Sequence, residues 1–251
     1  MENDKLAVSE TFYSIQGEGP TMGVPAVFLR LKSCNLTCGG PKTVQTKALE
    51  NGATWRCDTI EVWLEGAAQK IEWLIDSWEE NGFLARLEAG AHLVITGGEP
   101  LLQDGPICEF LCQLDEKLSS FIYVEMETNG TLKPSAFLGD RINQFNVSPK
   151  LANSGMSEEV RILPDVMTYF SEHDFAVFKF VLTTASDFDE MQADFCVPFA
   201  IAQSQIFLMP GCSSRQELEE ISPLIAELAM AHNLRFSSRL QLSIWDRAVG
   251  V

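Results

Sequence analysis

The chain alternates short apolar runs with segments of helical period. VFLRLKSC (27–34) is dense in branched and aromatic side chains and predicts a strand. IEWLIDSWEENGFLARL (71–87) has apolar residues at 71, 74, 75 and 78, which predicts a helix, with a break at Asn81-Gly82. HLVITGGEP (92–100) predicts a strand running into a glycine turn, and PICEFLCQLDEKL (106–118) a helix. FIYVEMETNG (121–130), INQFNVSPK (142–150), FAVFKFVL (175–182) and SQIFLMPG (204–211) predict further strands. A helix is expected from about Arg215 to His232, and LRFSSRLQLSIW (234–245) closes the pattern. Strands alternating with helices predict an α/β fold: a parallel sheet with crossover helices, arranged as a full or partial barrel. Chemistry in such folds gathers at the C-terminal ends of the strands. No linker, low-complexity segment or internal repeat interrupts the pattern, so one domain over 1–251 is expected.

Composition narrows the class. The chain is 46% hydrophobic and 21% charged, as expected of a soluble globular protein. No apolar run approaches the roughly 20 residues a membrane helix needs. The N-terminal MENDKLAVSE is polar and acidic, not a secretory signal, so a cytoplasmic location away from membranes is expected. A net charge of −17 opposes direct binding to nucleic acid. Seven cysteines, an odd number, point to metal ligation or burial rather than to a disulfide framework.

Cys34 and Cys38 stand three residues apart directly after a predicted strand, and Cys57 follows after the eighteen residues 39–56. Cysteine thiolates are soft ligands suited to zinc or iron–sulfur clusters. The spacing alone is not specific: Cys108 and Cys112 share it, on a helix where core packing is expected. Three ligands leave a coordination position open for a small molecule, whereas a structural zinc site needs a fourth ligand. None of His92, His173 and His232 has a context that supplies one. Thr59 offers a hydroxyl to a hard cation such as magnesium. In Thr96-Gly97-Gly98-Glu99-Pro100 two glycines let a ligand approach the backbone, with Glu99 near enough for a charged amino group. Ser14-Ile15-Gln16-Gly17-Glu18-Gly19 suits a polar heterocycle, or is an ordinary glycine turn. Arg30, on the strand face of Phe28 and Lys32, suits bidentate capture of a carboxylate or a salt bridge. Lys150 and Lys179 suit a cofactor contact or, taken singly, an ion pair with a neighbouring acid.

Nine stretches occur in a telling order: SIQGEG, FLRLKSCNLTC, CDT, TGGEP, ETNG, NVSPK, FKFV, LMPG and the closing RLQLSIW…GV. Together they resemble the radical S-adenosylmethionine superfamily and, within it, the 7-carboxy-7-deazaguanine synthase family. The resemblance implies a modified partial (β/α) barrel, found as a homodimer. It implies a 4Fe-4S cluster on Cys34, Cys38 and Cys57, with S-adenosylmethionine on the open iron, and Mg2+ on Thr59. It implies a lyase that contracts the ring of 6-carboxy-5,6,7,8-tetrahydropterin, with an electron donor such as flavodoxin or ferredoxin as partner. The pterin substrate falls to Ile15, Gln16, Gly17, Glu18, Arg30, Thr96 and Val251. S-adenosylmethionine falls to Gly97, Gly98, Glu99, Ser148, Pro149, Lys150, Phe207, Leu208, Met209 and Pro210. The chemistry itself belongs to the cofactors.

Two departures stand out. The family usually has two residues between the second and third cysteines. Residues 39–56 therefore read as an insertion, a polar excursion returning through Trp55 and able to act as a lid; long surface loops add little closure cost. Ser243 stands where a histidine is common. The alternatives are another radical S-adenosylmethionine enzyme, such as a glycyl-radical activase, which needs no pterin loop, and a zinc-binding module without turnover.

Overall fold

The computed structural model describes residues 3–248 and 250. Its strands are β1 (Lys5–Ile15), β2 (Pro25–Leu31), β3 (Ala67–Lys70), β4 (His92–Gly97), β5 (Val124–Thr128), β6 (Gln144–Val147), β7 (Ala176–Leu182), β8 (Ile206–Pro210) and β9 (Arg235–Phe236). They form one sheet in the order β3-β1-β2-β4-β5-β6-β7-β8-β9. From β2 to β9 each neighbour is parallel. The ends of the sheet do not meet, so the barrel is partial. No helix among the described residues is long and apolar enough to cross a membrane.

The wholly parallel sheet expected from the sequence is extended by two antiparallel strands. β1 pairs antiparallel with both β2 and β3. Only Leu6 and Val8 of its eleven residues are buried, so KLAVSETFYSI lacks a sustained apolar pattern. A register shift between Val8 and Glu10 further blurs its alternation. The helices follow the expected spacing: Ile71–Glu80 and Phe83–Glu88 part at Gly82, whose φ of 75° is left-handed. Helices Asp104–Lys117 and Arg215–Ala231 also form as expected. The closing stretch divides into β9 and a helix, Leu240–Trp245.

β4 to β8 are buried along most of their length, as strands of a covered parallel sheet are. Their two faces nevertheless differ. Val27, Leu29, Leu31, Leu93, Ile95, Val124, Met126, Phe145, Val147, Phe178 and Phe180 join Trp78, Phe110 and Ile225 of the helices in one core. The alternate residues Arg30, Thr96, Glu125, Glu127, Asn146 and Lys179 point the other way, since side chains alternate along a strand. Packing thus sets the register, and the register turns a row of polar groups inward. Ile95 is fully buried in that core, so Ile95→Val is expected to cost about 0.5–1.5 kcal/mol by removing one methyl. Urea unfolding of the metal-free protein measures this.

Candidate active site

The inward face lines a cavity of about 1390 Å³ that reaches from the Ile15–Glu18 turn, beside the start of β2, to the C-terminal ends of the parallel strands. Cys34, Cys38, Cys57 and Thr59 line one part of it. Ile15, Gln16, Gly17, Glu18, Arg30, Thr96, Gly97, Gly98, Ser148, Lys150, Met209 and Pro210 line the rest. The topology brings these twelve together because each belongs to a strand end, or a turn beside one.

All seven cysteines are free thiols. The backbone N–H of Cys57 donates to the Cys38 carbonyl at 3.2 Å, so the chain returns to its starting point after residues 39–56. That excursion is anchored along its length. Gly39 N donates to Ser154 O at 2.8 Å, Thr54 N to Asn153 O at 2.9 Å, and the Trp55 indole to Asn153 Oδ1 at 2.9 Å. Lys47, Leu49, Thr54, Trp55 and Arg56 reach the cavity from it.

Burial pushes the Cys34 thiol up to about 11, with the charge of Glu99 adding to it against an opposing N–H from Leu36. Burial takes Cys38 to about 12. Both are thiols at neutral pH without metal, and ligation must displace their protons. Among the described residues no three His, Cys, Asp or Glu side chains are close enough to share one metal ion. A cubane cluster spreads its three thiolates over separate irons, so the trio fits a cluster better than a zinc ion. Gly98 lets this loop sit against the strand edge: a Cβ there would lie 2.0 Å from Ser33 O and 2.7 Å from Cys34 Cβ. Cys34 Sγ also takes a contact from Asn129 Nδ2 at 3.8 Å. Thr59 Oγ1 lies 3.3 Å from Cys57 Sγ.

Of the two roles weighed for Arg30, the structure shows the salt bridge. Its Nε donates to Glu10 Oε1 at 2.8 Å, and it lies 5.7 Å from the Phe12 ring centroid. The side-on bond leaves both terminal nitrogens of the guanidinium for a carboxylate. Phe28 shares its cavity face, but Lys32 does not: Lys32 lies past the end of β2 and donates to Gly66 O. The ion pair preferred for Lys150 is absent among the described residues. Its Nζ donates to Ser148 Oγ at 2.8 Å and lies 5.7 Å from the Trp55 ring centroid. It is a free cation on the cysteine side of the cavity.

Lys179 is the paired one. Its Nζ lies 3.0 Å from Glu18 Oε2 and 3.2 Å from Glu127 Oε1. Glu127 Oε2 accepts from Thr96 Oγ1 at 2.7 Å. Glu18 Oε1 accepts from Arg239 Nε at 3.1 Å and from Gln241 Nε2 at 2.9 Å. Arg239 also bonds to the Asp58 carboxylate and the Cys212 carbonyl. Burial pushes the Glu18 carboxyl up, but Lys179 and Arg239 outweigh it and hold it well below the usual carboxylate range. Burial pulls Lys179 down, and Glu127 and Glu18 outweigh that in turn. A carboxyl held low in the folded state adds stability above its ordinary pKa, and that stability is lost as pH falls below it. Glu18→Gln is therefore expected to flatten the fall in melting temperature below about pH 4.5. Parallel melting curves of the two proteins across that range would contradict it.

Beneath these groups Glu125, fully buried, accepts from His92 at 2.7 Å, Thr21 at 2.8 Å, Asn146 at 2.9 Å and Gln16 at 3.4 Å. The network fixes Gln16 at the cavity floor, and it consumes His92.

Four expected ligand residues do not reach the cavity. Glu99 is fully buried and accepts from Thr128 Oγ1, Leu101 N and Asn129 N. It ties the glycine turn to the loop after β5, and so has no oxygen directed at a ligand. Leu208 is in the core, and Phe207 is buried under Arg235. Pro149 stands between Ser148 and Lys150 without lining the cavity. Val251 lies outside the described residues. Ser243 is exposed, while Gln241 and Leu242 of the same helix face the cavity. Cys108 packs on the core, as expected of it, but Cys112 is exposed. Glu127 and Arg239 were not singled out as ligand-side residues from sequence. Glu127 had a signal, an acid at every second position of VEMET; Arg239 opens the RLQLSIW stretch, but nothing in that stretch names its partners.

No protein-family model matches the chain. In fold it is similar to the crystal structure of QueE from Escherichia coli, with a TM-score of 0.61, 23% identity and 94% of each chain covered. It is also similar to anSMEcpe with bound AdoMet, with a TM-score of 0.53 and 15% identity over 83% of this chain and 61% of that one. In sequence it is 31% identical to the 7-carboxy-7-deazaguanine synthase of Pyrobaculum aerophilum, covering 98% of this chain and 97% of that one. It is 34% identical to the synthase of Hyperthermus butylicus, covering 96% and 94%. Identity at this level from end to end, on a chain whose cysteine loop, glycine turn and strand ends meet in one cavity, makes it a member of the 7-carboxy-7-deazaguanine synthase family.

Proposed function

We infer that the chain is a radical S-adenosylmethionine lyase that converts 6-carboxy-5,6,7,8-tetrahydropterin to 7-carboxy-7-deazaguanine with loss of ammonia. The observation that carries this reading is that one cavity joins three free cysteines at one side to Arg30, Gln16 and Thr96 at the other. A cluster on Cys34, Cys38 and Cys57, with S-adenosylmethionine bound, supplies a 5′-deoxyadenosyl radical when reduced.

The side chains bind, orient and shield. Lys150, the free cation near the cysteines, suits the carboxylate of S-adenosylmethionine, with Ser148 holding its ammonium in place. Gly97 and Gly98 keep that strand edge bare of side chains. Met209 and Pro210 add apolar surface beside them. Arg30 offers its two terminal nitrogens to the pterin carboxylate. Gln16, held by Glu125, lines the cavity beside Gly17 and Glu18 and suits the heterocycle. Thr59 suits Mg2+ through its hydroxyl. Residues 39–56 are an insertion within a single domain, and Leu49 and Trp55 place apolar surface over the cysteine side. A homodimer, a flavodoxin- or ferredoxin-type donor and a cytoplasmic location complete the reading.

A glycyl-radical activase would leave the Arg30–Gln16 side of the cavity without purpose. A zinc module would need the three cysteines to converge on one ion, which they do not. The test is the colour and metal content of protein purified without oxygen. Brown protein with iron and sulfide, binding the carboxy-tetrahydropterin, is expected. Colourless protein carrying zinc would overturn the reading.

A further inference from the structure

One cation in the cavity wall belongs to neither the pterin side nor the cysteine side. Arg239 opens the closing segment, and its side chain is only 13% exposed. Three separate stretches converge on its guanidinium: Glu18 of the loop after β1, Asp58 beside Cys57, and the Cys212 carbonyl just after β8. The same segment is fastened again by Leu240 N on the Gly17 carbonyl at 2.9 Å and by Gln241 on Glu18. Gln241 Oε1 fills the space where a Gly17 side chain would stand, 1.9 Å from an added Cβ. Charges alternate from the cysteine loop to β4: Asp58, Arg239, Glu18, Lys179 and Glu127, ending on the Thr96 hydroxyl. Each member is held by the next, so the row acts as one unit.

Resting on the functional reading above, we propose that Arg239 is a positioning residue that fixes the pterin loop relative to the cysteine loop. It acts through Glu18 on one side and Asp58 on the other. Only a planar fork with several donors can serve three partners in different directions, so lysine is not equivalent. Removing the guanidinium leaves the cysteines and Lys150 intact, and cuts the tie that sets the distance between radical source and substrate. Small errors in that distance cost a large share of productive encounters.

Three measurements on R239Q and R239K test this. In the cluster-free full-length protein, calorimetric titration with the carboxy-tetrahydropterin should show affinity at least tenfold weaker for R239Q. In the reconstituted enzyme, iron content should match wild type, while 5′-deoxyadenosine released per deazapurine formed should rise at least tenfold. R239K, which keeps the charge but not the fork, should recover part of both. Wild-type affinity and wild-type product ratio in R239Q would overturn the proposal. Should R239Q fail to fold, R239K decides alone: weakened affinity supports the proposal, and full wild-type behaviour overturns it. Loss of iron in folded R239K would also overturn it, since the arginine would then build the cysteine loop rather than orient it. Wild-type protein that binds no pterin would overturn the functional reading and the inference with it, an outcome distinct from unaltered variants of a binding enzyme.

Discussion

Cys57→Ala is expected to abolish cluster assembly, whereas Cys108→Ala leaves it intact. A cluster held by three thiolates has no spare protein ligand, so the loss of one leaves an iron without its anchor. Cys57 is positioned by its own backbone, through the bond to the Cys38 carbonyl, and lines the cavity beside Cys34 and Cys38. Alanine keeps that backbone and deletes only the sulfur. Cys108 lies on a helix against the core, and its thiol contacts Asp104 and Ser135. Iron content and the broad visible absorption of protein reconstituted without oxygen distinguish the two variants. Equal loss in both would mean that the trio is misassigned.

Lys179→Met should be the most damaging change outside the cysteines. Lys179 is 3% exposed and neutralises two carboxylates, Glu18 and Glu127. Methionine matches the length of the stem but leaves both acids in a buried site without their cation. Stranding a charge in this way costs about 3–5 kcal/mol. Glu18 keeps Arg239, so its share of the loss is smaller, and Glu127 keeps only the Thr96 hydroxyl. The metal-free variant should therefore unfold at lower urea concentration. The double variant with Glu127→Gln should recover part of the loss, because the second change removes a stranded charge. If the double variant is less stable than Lys179→Met, the coupling is not electrostatic.

Much of this arrangement is legible in the sequence. Apolar runs located β2 and β4 to β8, and the turns after them carry the groups that meet in the cavity. Two antiparallel strands escaped because β1 is mostly half-buried and β3, AAQK, is short and largely exposed. The errors in the site have a common cause. A motif names neighbours along the chain, but alternation along a strand and the geometry of a turn decide which of them face inward. Glu99 turns away into the backbone of the next loop, and Leu208 turns away into the core, while Met209 next to it reaches the cavity. Conversely, Glu127 and Lys179 face inward because their neighbours Met126, Phe178 and Phe180 are claimed by the core. Arg239 opens a stretch that sequence did single out, but its role could not be read there, because its partners at 18, 58 and 212 are brought together only by the closed fold.

Turnover is the most direct test of the lyase reading. Reconstituted protein is incubated without oxygen with reductant, S-adenosylmethionine, Mg2+ and 6-carboxy-5,6,7,8-tetrahydropterin, and the products are identified by mass. The expected products are 7-carboxy-7-deazaguanine and ammonia in equal amounts. A fully loaded cluster that yields neither 5′-deoxyadenosine nor the deazapurine would contradict it.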